Sequence, residues 1–341
     1  MDVTSVQHVV RELYAVSTIT VKQLEGYADS NYYISAQPNQ YSCTEFVLKI
    51  IHMENESVKC QYHAIGCSLQ HLHKQGVQVS KLIPTVDGEM LGSYDFNDNA
   101  CACGVMLLTY IQGQTLCEVV VTQLHMNDIA QQSGKAIAQI DEALSTLHLS
   151  DELQLKGEWN LLNLDFVKSC SHYMRCNKTK DLCHRVFNLF EDKVVKNLNK
   201  LQTGLIHGDA NDANLILKQQ PGCGRWIIEG IIDFGDMAHS FYLFEIAILV
   251  AYFMMKAFKD GLDADIVADH VLKGFKSVLR LNPFEHEVLY VTVAEVAAHS
   301  LCKTAADAQK SPDNYDYIIQ DYDAFEKLLS HICDTNITNR M

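Results

Sequence analysis

Apolar and polar positions follow two different periods along this chain, and the change falls near residue 110. Residues 6–14 carry apolar side chains at helical spacing and predict a short helix. Residues 18–21, 32–36 and 45–50 read as strands, the first two bracketing a polar turn over 24–31. Residues 58–74 return to a helical pattern that closes at Gly76. Segments 79–84, 93–96 and 104–110 complete an antiparallel sheet. Beyond the break at Tyr110-Ile111-Gln112-Gly113 the helical period dominates. Ile129, Ile137, Ile140, Leu144 and Leu147 mark an amphipathic helix over 128–147, and 166–176 is helix-like. Val186, Leu189, Phe190, Val194 and Leu198 mark another over 185–201. Further helices are expected over 242–253, 267–279, 283–303 and 315–333. The pattern predicts an α+β chain with an N-terminal lobe, 1–109, of antiparallel sheet plus a helix. A mainly helical C-terminal lobe follows over 110–341.

One stretch interrupts the helical half. Leu205-Ile206 lead into His207-Gly208-Asp209-Ala210-Asn211-Asp212-Ala213-Asn214, and Leu215-Ile216-Leu217 and Trp226-Ile227-Ile228 read as strands joined through Pro221, Gly222 and Gly224. The second strand runs on to Asp233-Phe234-Gly235-Asp236. A carboxylate, an amide and a second carboxylate on polar loops around a hairpin are what phosphoryl transfer needs. Asp209 would meet an acceptor hydroxyl, while Asn214 and Asp233 would hold Mg²⁺ on a nucleotide's phosphates. His207 is expected to pin the loop backbone rather than carry a proton. Glu245, a lone acid in the first turn of an apolar helix, either complements the helix dipole or anchors the Asp233 loop from beneath.

That chemistry changes how the N-terminal lobe is read. Lys49 interrupts an apolar strand, which fits either an edge position or a cleft. With Asp233-Phe234-Gly235 downstream it becomes a candidate for neutralising nucleotide phosphates. The turn containing Asp29, Ser30 and Asn31 is a simple hairpin or a phosphate cover. At the linker, the backbone of Tyr110 and Ile111 is where a purine edge would be read. No GxGxxG or Walker A motif occurs, which disfavours a P-loop fold.

Composition narrows the partners. A net charge of −15 argues against nucleic acid and anionic membrane surfaces and suits a cationic small molecule, although acidic surfaces also serve solubility. The twelve cysteines form no paired CxxC, the histidines no HExxH, and the apolar run at 246–255 is too short to span a bilayer. Reduced thiols and an N-terminus lacking a signal-peptide core point to the cytoplasm.

Lys49, His207-Gly208-Asp209 with Asn214, Ile232-Asp233-Phe234-Gly235-Asp236 and Glu245 together resemble the aminoglycoside phosphotransferase/choline kinase branch of protein-kinase-like enzymes. Gly208, where protein kinases carry arginine, fits small-molecule kinases. Within the branch, Trp159-Asn160-Leu161-Leu162-Asn163, Val271-Leu272-Lys273-Gly274-Phe275 and Ser311-Pro312-Asp313-Asn314-Tyr315 resemble the hydroxylysine kinase subfamily. The resemblance covers nearly the whole chain. It implies a two-lobed kinase-like fold, Mg²⁺, GTP or ATP as donor, and 5-hydroxy-L-lysine as acceptor. Asp212 or Asp236 would then face the acceptor's ammonium groups, and Trp159 and Asn160 would wall its pocket. Homoserine, choline or ethanolamine, a methylthioribose-like sugar or an aminoglycoside are alternative acceptors; a nucleotide-binding scaffold without activity is another alternative. The chain departs from the branch at one point. Where the helix after the lysine strand should carry an acid, it has Ile65, with Gln61 and His63 nearby, leaving the partner of Lys49 unassigned.

Overall fold

The computed structural model describes residues 2–24, 30–41, 43–53, 55–96, 103–149, 159–311 and 315–334. The chain forms two compact units: residues 1–113 with 147–153 and 229–235, and residues 114–146 with 154–228 and 236–341.

The first unit opens with α1 (Val3–Tyr14), whose N-cap Asp2 accepts Ser5 N–H and whose chain turns out through Ala15 at positive φ. Its strands are β1 (Thr18–Leu24), β2 (Ser30–Ala36) and β3 (Glu45–Ile51). After α2 (Glu56–Lys74) come β4 (Leu82–Ile83), β5 (Gly92–Tyr94) and β6 (Cys103–Thr109). All pair antiparallel in the order β1-β2-β3-β6-β4, with β5 also on β6. Strand side chains alternate between faces, so each face has its own role. Tyr32, Ile34, Phe46, Leu48 and Ile50 are buried together with Val6, Val9, Val10 and Tyr14 of α1 in one core. Tyr14 is pinned there by its hydroxyl, which donates to Val105 O at 3.0 Å. The opposite face carries a cross-strand row, because Asn31 pairs with Lys49 and Lys49 with Met106. Tyr62, Ile65 and Leu69 of α2 line a cavity with Lys49 and Met106, so α2 lies over that row.

In the second unit β7 (Gln114–Thr115) precedes α3 (Gln123–Leu144), α4 (Leu164–Cys170) and α5 (Asn177–Lys193). Strands β8 (Thr203–Ile206), β9 (Leu215–Gln219), β10 (Trp226–Ile231), whose last three residues are counted with the first unit, and β11 (Ala238–Phe241) follow. The helices α6 (Tyr242–Asp260), α7 (Ala264–Lys276), α8 (Pro283–Lys310), α9 (Tyr315–Ile319) and α10 (Tyr322–Asp334) complete it. The β9–β10 hairpin expected from the sequence forms, with β7 on its β9 edge. β11 pairs with β8, Ala238 opposite Ile206. That short ladder ties the chain entering His207 to the chain leaving Asp236.

Several helix boundaries differ from the periodicity: α6 runs on to Asp260, α7 covers Ala264–Lys276, α8 runs on to Lys310, and the helix expected over 315–333 divides into α9 and α10. α3 starts a turn early because Thr122 caps it, accepting His125 N–H. α5 starts at Asn177, and its polar first two turns bury Thr179 and Cys183, ahead of the buried Val186, Phe187 and Phe190. It breaks at Val194, after which residues 195–200 wind as a tighter turn with Asn197 outside helical geometry. The helix expected over 166–176 ends at Cys170. Where α3 crosses α7 the backbones touch. A Cβ on Gly134 would stand 2.1 Å from Val271 O, and one on Gly274 1.9 Å from Gln131 O.

Candidate active site

In the first unit, strand β3 carries Lys49 to the α2-covered face, where its side chain is largely buried. Its Nζ meets Asp233 Oδ1 at 2.6 Å. Asp233 follows β10 at φ +63, a left-handed conformation that costs an L-residue with a Cβ about 1–3 kcal/mol. Gly235 N–H turns back to Asp233 Oδ1 at 3.3 Å, closing the turn. Gln61, at the position one turn before Ile65, donates from Nε2 to Gly235 O at 2.7 Å. The α2 helix thus braces the Asp233 turn through an amide, and the lysine's ion-pair partner is Asp233 itself. Asn31 stands beside Lys49 in the cross-strand row, and among the described residues its buried Oδ1 has no hydrogen-bond partner. Ser30 starts β2, opposite Ile50. Asp29 lies outside the described residues.

The linker is tied to the sheet by Glu45. Tyr110 N–H donates to Glu45 O at 3.0 Å. The Glu45 carboxylate accepts from Tyr33 Oη at 2.5 Å and from the Gln112 amide. Those two bonds hold its carboxyl below the usual range, and the Tyr33 phenol is raised in return. Ile111 packs against Gly230, where a Cβ would come within 2.5 Å of Ile111 Cδ1.

In the second unit the loop after β8 is held from three sides. Gly208, at φ +82, lies so close to Asp236 that a Cβ would stand 2.3 Å from the Asp236 carbonyl oxygen. Gly208 N–H donates to Glu245 Oε2 at 3.0 Å, so Glu245 supports the loop that carries Asp209. His207 is wholly buried, and its Nδ1 accepts Asp209 N–H at 3.2 Å. The Asp209 carboxylate is fixed by two amides: Asn211 Nδ2 to Oδ1 and Asn214 Nδ2 to Oδ2, each at 2.8 Å. Asn214 Nδ2 also reaches Asp209 O at 2.9 Å. With its nitrogen committed twice, the Asn214 amide is orientated and its oxygen is left as the group that can ligate. Oxygen donors from an amide and a carboxylate suit Mg²⁺, which takes its remaining ligands from phosphate and water. Among the described residues no three His, Cys, Asp or Glu side chains converge on a metal by themselves.

Glu245 has a partner that the sequence reading missed. Asp141 of α3 is also wholly buried, and the charge of Glu245 acts on it. Among the described residues, both Asp141 oxygens and Glu245 Oε1 lack hydrogen-bond partners. Burial first, and then the neighbouring Glu245 carboxyl, push Asp141 well above the carboxylate range. Burial pushes Glu245 up to about 7, against the lowering effect of the Gly208 and His207 amides. The only sequence signal was an aspartate at an apolar position, between Ile140 and Leu144.

Of the acceptor candidates, Asp212 is buried, and desolvation followed by the Asp321 charge raises it to about 6. Trp159 stacks on His299 with centroids 6.0 Å apart, with Lys303 Nζ 5.2 Å from the indole centre. Asn160 Oδ1 accepts Leu162 N–H at 3.0 Å, a turn leading into α4. Asp236 supplies the backbone surface that Gly208 packs on. No described helix is long and apolar enough to cross a membrane.

A family model described as the phosphotransferase enzyme family matches residues 20–276. Hydroxylysine kinase of Xenopus laevis is 31% identical over 323 residues, covering 91% of this chain and 84% of that protein. Among solved structures, a microcompartment-associated aminopropanol kinase superposes with TM-score 0.71 at 16% identity, covering both chains completely. An amicoumacin kinase in complex with AMP-PNP, Ca²⁺ and Ami superposes with TM-score 0.66 at 16% identity over 96% of this chain and 94% of its own.

Proposed function

The chain belongs to the phosphotransferase enzyme family, in the branch that holds the hydroxylysine kinases, and from that premise we propose that it phosphorylates the hydroxyl of 5-hydroxy-L-lysine. The donor in this reading is GTP or ATP. The observation that carries it is the Asp209–Asn214 unit, in which one carboxylate has both oxygens set by amides. The relative's name supports the acceptor, and the net charge of −15 favours a cationic one.

Asp209 receives the proton of the acceptor hydroxyl as its oxygen bonds to the γ-phosphorus and the bond to the β-phosphate oxygen breaks. A carboxylate held in place by two amides contributes more by orientating that hydroxyl than by basicity. Asn214 and Asp233 would hold Mg²⁺, which when bound supplies charge neutralisation on the transferred group. The amicoumacin kinase solved with AMP-PNP and Ca²⁺ is consistent with nucleotide and divalent-cation binding on this fold. Lys49 neutralises donor phosphates, exchanging part of its bond to Asp233 for them. Ser30 and Asn31, with Asp29, would cover those phosphates; Asn31 Oδ1 beside Lys49 supports this part of the reading. Tyr110 N–H is already given to Glu45, so purine reading at the linker falls to Tyr110 C=O and the Ile111 backbone. Asp212 and Asp236 face the acceptor's ammonium groups, while Trp159 and Asn160 form its outer wall. His207 and Glu245 support the loop.

A coupled assay crossing GTP and ATP with 5-hydroxylysine, homoserine, choline and an aminoglycoside tests the reading. Turnover greatest with 5-hydroxylysine is expected, and lost in Asp209→Ala and Asp233→Ala. Preference for another acceptor, or near wild-type turnover in either variant, overturns the corresponding assignment.

A further inference from the structure

Charges in the second unit converge on Tyr252 of α6. Asp209, Asp212 and Asp321 all act on its phenol, which burial has already raised. The three acids come from separate places: two from the loop after β8, the third from the bend between α9 and α10. Asp212 is held from behind, its carbonyl accepting Cys117 N–H at 3.2 Å. The residue is 4% exposed, and among the described residues its Oδ2 has no hydrogen-bond partner. A carboxylate oxygen buried without a donor is costly, and a bound cation with N–H groups removes that cost. The two nearby lysines are otherwise engaged. Lys256 Nζ bonds Asp260 and Val119 O. Lys259 Nζ bonds Asp321 Oδ1 at 2.5 Å, at a part-exposed position. Lys259 lies two helical turns from Tyr252, on the same side of α6.

We propose that Asp212 and Asp321 form the ammonium-recognition site for the acceptor, and that Lys259 is a resident competitor for it. This rests on the reading of Asp209 as the residue that meets the acceptor hydroxyl. An acceptor bearing an amine a few bonds from its hydroxyl places the ammonium between Asp212 and Asp321 while the hydroxyl reaches Asp209. Lys259 leaves Asp321 as it enters. The class selected is therefore a primary-amine alcohol. A neutral sugar leaves Asp212 Oδ2 unmatched, and a quaternary amine has no N–H to give it.

The test uses the full-length protein and two variants whose effects must have opposite signs. Calorimetric binding of 5-hydroxy-L-lysine, with a non-hydrolysable nucleotide and Mg²⁺ present, is measured beside steady-state KM. Asp321→Asn should weaken acceptor binding by about tenfold to a hundredfold, because one charge of a matched set is removed. Lys259→Met should tighten it by several-fold, because the competitor is gone. The affinity for nucleotide, measured separately, should move in neither variant. If the pair is merely structural, both substitutions loosen the α6–α10 region and shift acceptor affinity in the same direction, or not at all; either result overturns the proposal. Should 5-hydroxylysine bind with these opposite shifts yet never be phosphorylated, the catalytic reading fails and the recognition site stands.

Discussion

Replacing Asp141 with asparagine should make the second unit more stable than the natural chain by an amount that grows as pH rises from about 4 to 8. In the folded chain Asp141 and Glu245 are both wholly buried beneath the loop that carries Asp209. An unfolded chain ionises both near their ordinary values, so folding takes up protons above about pH 4.5. For Glu245 the rise from 4.5 to about 7 corresponds to about 3 kcal/mol of stability. The sign follows from the direction of the shift. Below about 4.5 folded and unfolded chains are both protonated and the stability is whole. It falls as pH rises through 7, and Asp141, raised further, extends the loss beyond that. An asparagine has no charge to suppress and offers N–H groups to Glu245 Oε1, lowering the Glu245 pKa as well. The advantage of the variant over the natural chain should therefore begin near pH 4 and be larger at pH 8 than at pH 5, by about 2 kcal/mol or more. Denaturant unfolding followed by tryptophan emission measures this directly, because Trp159 and Trp226 both belong to the unit that holds the pair. A stability difference that is constant across pH, or that grows towards acid, would refute the account of two carboxyls sharing one buried site.

Other substitutions read other parts of the fold. Gly208→Ala should abolish turnover and cost at least about 2 kcal/mol in the same unfolding assay, since its Cβ would strike the Asp236 carbonyl at positive φ. Gln61→Leu should lower kcat about tenfold with little change in melting temperature, because it frees Gly235 O at the surface of the Asp233 turn; an unchanged kcat would show that the turn holds itself. Gly134→Ala should destabilise the second unit by about 3 kcal/mol or more, as α3 and α7 would have to separate; a near-native unfolding midpoint would contradict the contact.

The sheet and most helices were legible because their apolar spacing matched the face each element buries, as with Phe46, Leu48 and Ile50 towards α1. The loops around Asp209 and Asp233 were legible as loops because polar residues there interrupt the apolar runs of the strands on either side. Other features left no periodic trace. β11 is a four-residue strand whose pairing with β8 depends on chain brought back by the β9–β10 hairpin. The start of α5 was hidden because its first two turns are polar outside and bury only Thr179 and Cys183. Asp321 and Asp141 acquire meaning only from residues far away in sequence. Gln61 bonds a carbonyl, which a search for charge pairs does not find.

Asp233 arrives at the end of β10 wound the wrong way for its own chirality. Backbone preference alone would let this residue unwind, carrying its carboxylate away from Lys49. What resists is the set of tethers on either side: the ammonium, the Gly235 amide, and the glutamine of α2 gripping the next carbonyl. The turn therefore resembles a cocked spring more than a rigid bracket. A phosphate group that drew Lys49 away would slacken one of its catches at the moment the carboxylate was needed elsewhere.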